Sequence, residues 1–360
     1  MAQIVLGIGT SHTAMTKVPP ELWDRYATLD RKRSDYVYPP DARVLDFDNG
    51  AKYVAQDMAG RSRELETFQN QSAAANQALD TLAETLKAAQ PDVTIIISDD
   101  QDEWFYESNM PRFLLYWGDS LTLIPRTTVA ASGQDADLAK YQAAAYGETR
   151  LDVPVASRFG RFVLDHLLEH DFDIAHSTYA EPSYGGEVAR RYGPSDDEVA
   201  SVKKTPQHEQ GMPHGFAFVV HRLMNDQPSP ILPIFQNTCY PPNMPTPRRS
   251  YQLGRALADA IAAWPEDIKV AVVASGGLSH FVTDEESDRM VLDALQRGDS
   301  TALQNLPRER MVSAGGESLN WVALGAVMEG TGLSMELLDY VPIYRSEAAT
   351  GIGLAYARWQ

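Results

Sequence analysis

Apolar positions along this chain follow two alternating patterns. Short continuous apolar runs read as buried strands: Ile4–Gly7, Val93–Ile97, Ile231–Phe235 and Lys269–Ala274. Longer stretches repeat at i, i+3, i+4 and i+7 and read as helices. Leu79, Leu82, Ala83 and Leu86 mark a helix over 68–89 that Pro91 stops. Phe159, Phe162, Val163 and Leu167 mark a second over 156–170, Leu253, Leu257 and Ile261 a third, and residues 319–329 a fourth. Met212–Phe216 opens a further helix, and Asp284 can cap the one that follows it. Phe113–Tyr116 and Leu121–Ile124 predict a strand pair around a Gly118-Asp119 turn, and 335–344 with 351–359 predict two closing strands. Strands alternating with helices imply a sheet covered on both faces. The expected fold is therefore α/β, a three-layer α/β/α arrangement around a central mixed sheet, as a single domain over 1–360.

Two stretches lack either period. Residues 16–60 are rich in Pro, Asp, Arg and Tyr, and residues 182–212 are polar and irregular. So long an aperiodic segment inside a folded chain is usually a lid or binding loop, and 16–60 is expected to be a lid-like insertion.

Bulk properties narrow the function. A net charge of −18 argues against nucleic acid or another polyanion as partner. No apolar run reaches the length of a membrane span, and the first residues lack a basic region followed by an apolar one. Cys239 is the only cysteine, which excludes an internal disulfide and fits a reducing compartment, so cytoplasm is the expected location.

Chemistry concentrates where strands end. Ile4–Gly7 runs into Gly9-Thr10-Ser11-His12, Val93–Ile97 into Ser98-Asp99-Asp100-Gln101-Asp102-Glu103, and Lys269–Ala274 into Ser275-Gly276-Gly277-Leu278-Ser279-His280. α/β folds bind ligands at such exits, and three polar exits point to one shared site. His12 and Glu317 suit Fe(II), for which two histidines and one carboxylate form a facial triad with open positions for substrate and O₂. His280 is suited to moving a proton near neutral pH, and His214 to hydrogen bonding substrate or oxygen. A different signature stands at His166-Leu-Leu-Glu169-His170, which matches the H-x-x-E-H of zinc peptidases. No phosphate-binding glycine motif is present.

Taken together, five motifs resemble the class III extradiol ring-cleavage dioxygenases of the protocatechuate 4,5-dioxygenase β-subunit type, most nearly the single-chain gallate and 3-O-methylgallate enzymes. They are Gly-Thr-Ser-His at 9–12, Ser-Asp-Asp-Gln with Phe105, Pro-His-Gly at 213–215, Gly-Gly-Leu-Ser-His at 276–280 and Ala-Gly-Gly-Glu at 314–317. The resemblance implies that His12 and Glu317 ligate iron, that His280 is the acid/base beside substrate, and that His214 lies just behind the ligands. It implies a third ligand from 98–101, where the usual Asp-His reads Asp100-Gln101. Gln101 is the expected ligand, with Asp100 or Asp102 as alternatives. It further implies Fe(II), an aromatic diol and O₂ as partners, and ring opening. Arg248, Arg249 or Lys17 could pair with a ring carboxylate. In two-subunit relatives a small subunit covers the pocket, a task that 16–60 could perform here. A homodimer is the expected assembly. The alternatives are a non-redox metal hydrolase and a catalytically altered family member, the latter because of Gln101.

Overall fold

The computed structural model describes residues 1–101, 103–105, 109–125, 135–180 and 211–360. Its strands in chain order are β1 (Gln3–Thr10), β2 (Tyr36–Tyr38), β3 (Arg43–Leu45), β4 (Val93–Asp99), β5 (Phe113–Tyr116), β6 (Ser120–Leu123), β7 (Leu151–Pro154), β8 (Ala175–Ser177), β9 (Ile231–Gln236), β10 (Lys269–Ser275), β11 (Met335–Tyr344) and β12 (Gly351–Trp359). Its α-helices are α1 (Trp23–Asp30), α2 (Phe47–Tyr53), α3 (Leu65–Ala89), α4 (Ala136–Ala144), α5 (Ser157–Glu169), α6 (His214–Phe218), α7 (Pro247–Ala263), α8 (Glu285–Arg297), α9 (Ser300–Gln304) and α10 (Ser318–Met328).

One eight-stranded sheet runs β11-β12-β1-β10-β4-β9-β5-β8. Its centre is parallel: β1 beside β10, β10 beside β4, β4 beside β9. β12 and β11 close one side antiparallel, and β5 joins β9 antiparallel at the other. The central strands are apolar on both faces because each face is covered. Val93, Ile95 and Ile97 of β4, with Val270 and Val272 of β10, enter one core against α5, α7, α8 and α10. Ile96, Ala271 and Val273 point the other way, into a core with α3 and α6. That alternation is the three-layer α/β/α architecture. Each large side chain so buried stabilises the fold by about 1.5–3 kcal/mol. Among the described residues no helix is long and apolar enough to cross a membrane.

Two expectations are corrected. Phe113–Tyr116 and 121–124 do not pair with each other. β5 is buried at every position and sits inside the large sheet, whereas β6 alternates and pairs with β7 in a separate ribbon. Continuous and alternating patterns belong to differently covered sheets, so adjacency did not make a hairpin. Residues 16–60 are not irregular either: they hold α1, the β2–β3 ribbon and α2. These elements are only three to eight residues long, too short to establish a period. The ribbon packs its own small core, in which Tyr36, Tyr38 and Phe47 meet Val282 and Tyr344. The polar stretch expected at 182–212 falls almost wholly outside the described residues.

Candidate metal centre

Parallel neighbours end on the same edge, so β1, β10 and β4 deliver their exits side by side. The register pairs Thr10 with Ser275 and Ala274 with Ile97. His12 follows β1 by two residues, Asp99 ends β4, and the loop to His280 leaves β10. Glu317 closes a 3₁₀ turn at the start of α10, and His214 opens α6. The five side chains meet although up to 305 positions of sequence separate them.

Glu317 is the hub. Its carboxylate takes the Gly277 backbone N–H at 2.6 Å, lies 3.0 Å from His280 Nε2, 3.4 Å from His12 Nε2, and accepts from Gln101 Nε2 at 2.7 Å. Burial works against its charge, but His280 and His12 overcome that and hold its pKa well below the usual carboxylate range. His280 experiences the converse: burial disfavours the imidazolium, and Glu317 raises its pKa nonetheless. Its Nδ1–H donates to the Leu278 carbonyl at 3.0 Å, which leaves Nε2 as the nitrogen that faces Glu317.

Asp99 is fully buried and takes the Gln101 amide N–H at 3.2 Å. Burial first, and Glu317 second, push its pKa up to about 6. His12, Asp99, His214 and Glu317 are all buried, and one ligand atom from each lies within 4.8 Å of the others. Two imidazoles and two carboxylates at this spacing are a donor set that fits a divalent transition metal. Only a glycine permits the approach of α6: a Cβ on Gly215 would stand 2.0 Å from Ser98 Oγ and 2.9 Å from the His12 ring.

The expectations for the third ligand change here. Gln101 presents its amide nitrogen to both carboxylates, which a carbonyl oxygen would repel, so it holds them and is not placed to ligate. Asp100 turns away, its oxygens accepting the backbone N–H groups of Glu103, Trp104 and Phe105 at 2.7–3.2 Å. Asp102 lies outside the described residues. Asp99, one position earlier, is the carboxylate that faces the cluster. The sequence offers Asp99 in the same acidic exit, but nothing in a run of acids marks which one faces inward.

A cavity of about 440 Å³ opens on the cluster. His12, Gln101, Glu103, His214, His280 and Glu317 line it, together with Tyr26, Arg33 and Tyr36 from the 16–60 segment and Tyr146, Phe281 and Arg345. Its volume accommodates a substituted aromatic ring. The basic residues expected to meet substrate are elsewhere. Lys17 and Arg248 are exposed, and Arg249 stacks on Phe172 with its guanidinium carbon 3.9 Å from the ring centroid. None of the three lines the cavity. Arg33 and Arg345 do, and neither stood in a recognisable motif. Arg345 is buried and pairs with Asp30 at 3.0 and 3.1 Å, which ties α1 to the turn after β11.

The H-x-x-E-H helix forms no centre. His166 and His170 stack with ring centroids 4.0 Å apart and planes 24° from parallel, and His170 Nδ1 bonds the His166 carbonyl. Imidazole lone pairs lie in the ring plane, so stacked rings do not converge on one ion.

A family model described as the catalytic LigB subunit of aromatic ring-opening dioxygenase matches residues 62–351, well over half the chain. The chain belongs to this family. The LigB match includes Asp99, His214, His280 and Glu317, while His12 and the 16–60 segment precede it. A curated relative, gallate dioxygenase of Pseudomonas putida, is 35% identical over 154 residues, which cover 40% of this chain. The matched part spans 44% of that relative's length.

Proposed function

We propose that this protein is a non-haem Fe(II) dioxygenase that opens the ring of a catechol-type aromatic acid, such as gallate, a methylgallate or protocatechuate, by extradiol cleavage. The observation that carries this reading is the buried His12, Asp99, His214 and Glu317 cluster opening onto a ring-sized cavity with His280 beside it.

His12, Glu317 and one further member of this cluster would hold the iron. Bound there, Fe(II) would lower the pKa of the two phenolic oxygens and provide an electron path from ring to O₂. The chain's own groups do the rest. Leu278 keeps Nδ1 of His280 protonated, so proton traffic at this residue runs through Nε2. Beside the ionised Glu317 that nitrogen carries a proton; with Glu317 engaged by iron it would be free to take the phenolic proton and later return it to oxygen. Gln101 donates to Glu317 and Asp99 together, reducing the repulsion between them. The 16–60 segment acts as the lid: Tyr26, Arg33 and Tyr36 wall the cavity and limit water around a bound ring.

The test is anaerobic loading with Fe(II), followed by a panel of catechols under an oxygen electrode. One O₂ consumed per ring opened is the expected result. Loaded protein that consumes no O₂ with any catechol overturns the reading.

A further inference from the structure

We infer that His214, oriented by Glu103, is a ligand of the metal through Nε2 and takes the place that Gln101 leaves without a histidine. This rests on the metal reading above.

Glu103 grips His214 twice. Its carboxylate lies 3.0 and 3.1 Å from the His214 backbone N–H and 2.7 Å from Nδ1. An ionised carboxylate only accepts, so Nδ1 carries the proton and the ligand atom that His214 can offer is Nε2. His12 is set the same way by different means. The Ser275 hydroxyl donates its one proton to the Gly215 carbonyl at 2.7 Å, so toward His12 Nδ1, at 3.1 Å, it accepts. Both imidazoles are thus fixed in the tautomer that presents Nε2 to the cluster. Their rings meet edge to face with centroids 4.5 Å apart, an arrangement in which two in-plane lone pairs can converge. Gln101, with its amide nitrogen on the two carboxylates, holds them and does not replace an imidazole. Hydrogen-bonding carboxylates behind a ligating histidine typically contribute about 10–100-fold in metal affinity.

Proton NMR of the Co(II)-loaded full-length protein reads this directly. Each histidine bound through Nε2 with a protonated Nδ1 gives one exchangeable, hyperfine-shifted signal. Two such signals are expected in the wild type, one in His214→Gln, and two in Gln101→Ala. Glu103→Gln, which preserves side-chain size, should weaken Co(II) binding about 10–100-fold. Two signals persisting in His214→Gln, or unchanged affinity in Glu103→Gln, overturn the inference. Wild-type protein that binds no Co(II) overturns it together with the metal reading. Two signals in a protein whose Fe(II) form opens no ring sink the proposed function alone.

Discussion

Two regions of this molecule combine a pair of histidines with acidic residues, and they end in opposite arrangements. In α5, His166, Glu169 and His170 are spaced as a zinc motif within five positions, yet the two imidazoles stack and one bonds its own helix. At the sheet edge, His12, His214, Asp99 and Glu317 come from four distant segments, yet their ligand atoms cluster within 4.8 Å. Proximity in sequence brings side chains together but does not aim them. Aiming requires a fixed partner for the second ring nitrogen. Ser275 supplies it for His12 and Glu103 for His214, whereas His166 lies between the rings of Phe162 and His170, with no such partner among the described residues.

The largest contrast between the two regions should appear on removing a carboxylate. Glu317→Ala should abolish stoichiometric metal binding and reduce ring-opening by more than about 1,000-fold, since the residue is the hub of the cluster and a proposed ligand. Glu169→Ala and His166→Ala should leave both properties as they are. Metal analysis with oxygen uptake checks this, and metal lost on His166→Ala would reverse the comparison.

Next in size is the proton step. His280→Gln should retain the metal, because the four candidate ligands are untouched, while kcat falls about 100- to 10,000-fold. Steady-state kinetics on a metal-replete variant decide it; a kcat close to wild type would remove His280 from its role.

A smaller effect concerns the support behind that histidine. Asp288 on α8 accepts from the Ser279 backbone N–H at 2.7 Å, the Ser279 hydroxyl at 2.8 Å and the Tyr340 hydroxyl at 2.7 Å, anchoring the loop that ends in His280. Burial pushes its pKa up to about 7. The folded state therefore holds a proton that the unfolded chain releases near the ordinary carboxylate value of 3.8. Stability from this group is whole below about pH 4 and is lost as the pH rises through 7, on the order of 4 kcal/mol in all. Asp288→Asn should flatten that decline in urea melts run from pH 4 to 8. An unchanged slope would mean that Asp288 is ionised throughout.

The smallest expected effect returns to α5. His170→Ala removes an exposed ring from a helix end and should change stability by no more than about 0.5 kcal/mol. Thermal unfolding measures it.

Much of the fold was legible because burial imposes a period. The helix expected over 68–89 is Leu65–Ala89, that over 156–170 is Ser157–Glu169, and the apolar runs became the four central strands. The segment at 16–60 was not legible, because its elements are shorter than the window in which a period can be counted. Pairing failed where β5 and β6 parted, since sequence neighbours need not share a sheet. At the site, glycines and histidines at strand ends were visible, and Asp99 stood in the same run of acids. Which acid faces inward was invisible: alternation along β4 and the backbone donors of residues 103–105 turn Asp99 to the cluster and Asp100 away.

By itself, then, the sequence determined the α/β alternation, the strand exits that carry chemistry and the acidic, single-cysteine character of the chain. Periodicity and side-chain chemistry are local properties that each segment carries wherever it lies. Only the tertiary structure decided that His12, Asp99, His214, His280 and Glu317 converge, that Gln101 offers its nitrogen, and that Arg33 and Arg345 replace Arg248, Arg249 and Lys17 at the cavity. Those outcomes depend on which strands lie side by side and on which partner claims each donor and acceptor, and neither is written in any one stretch of the chain.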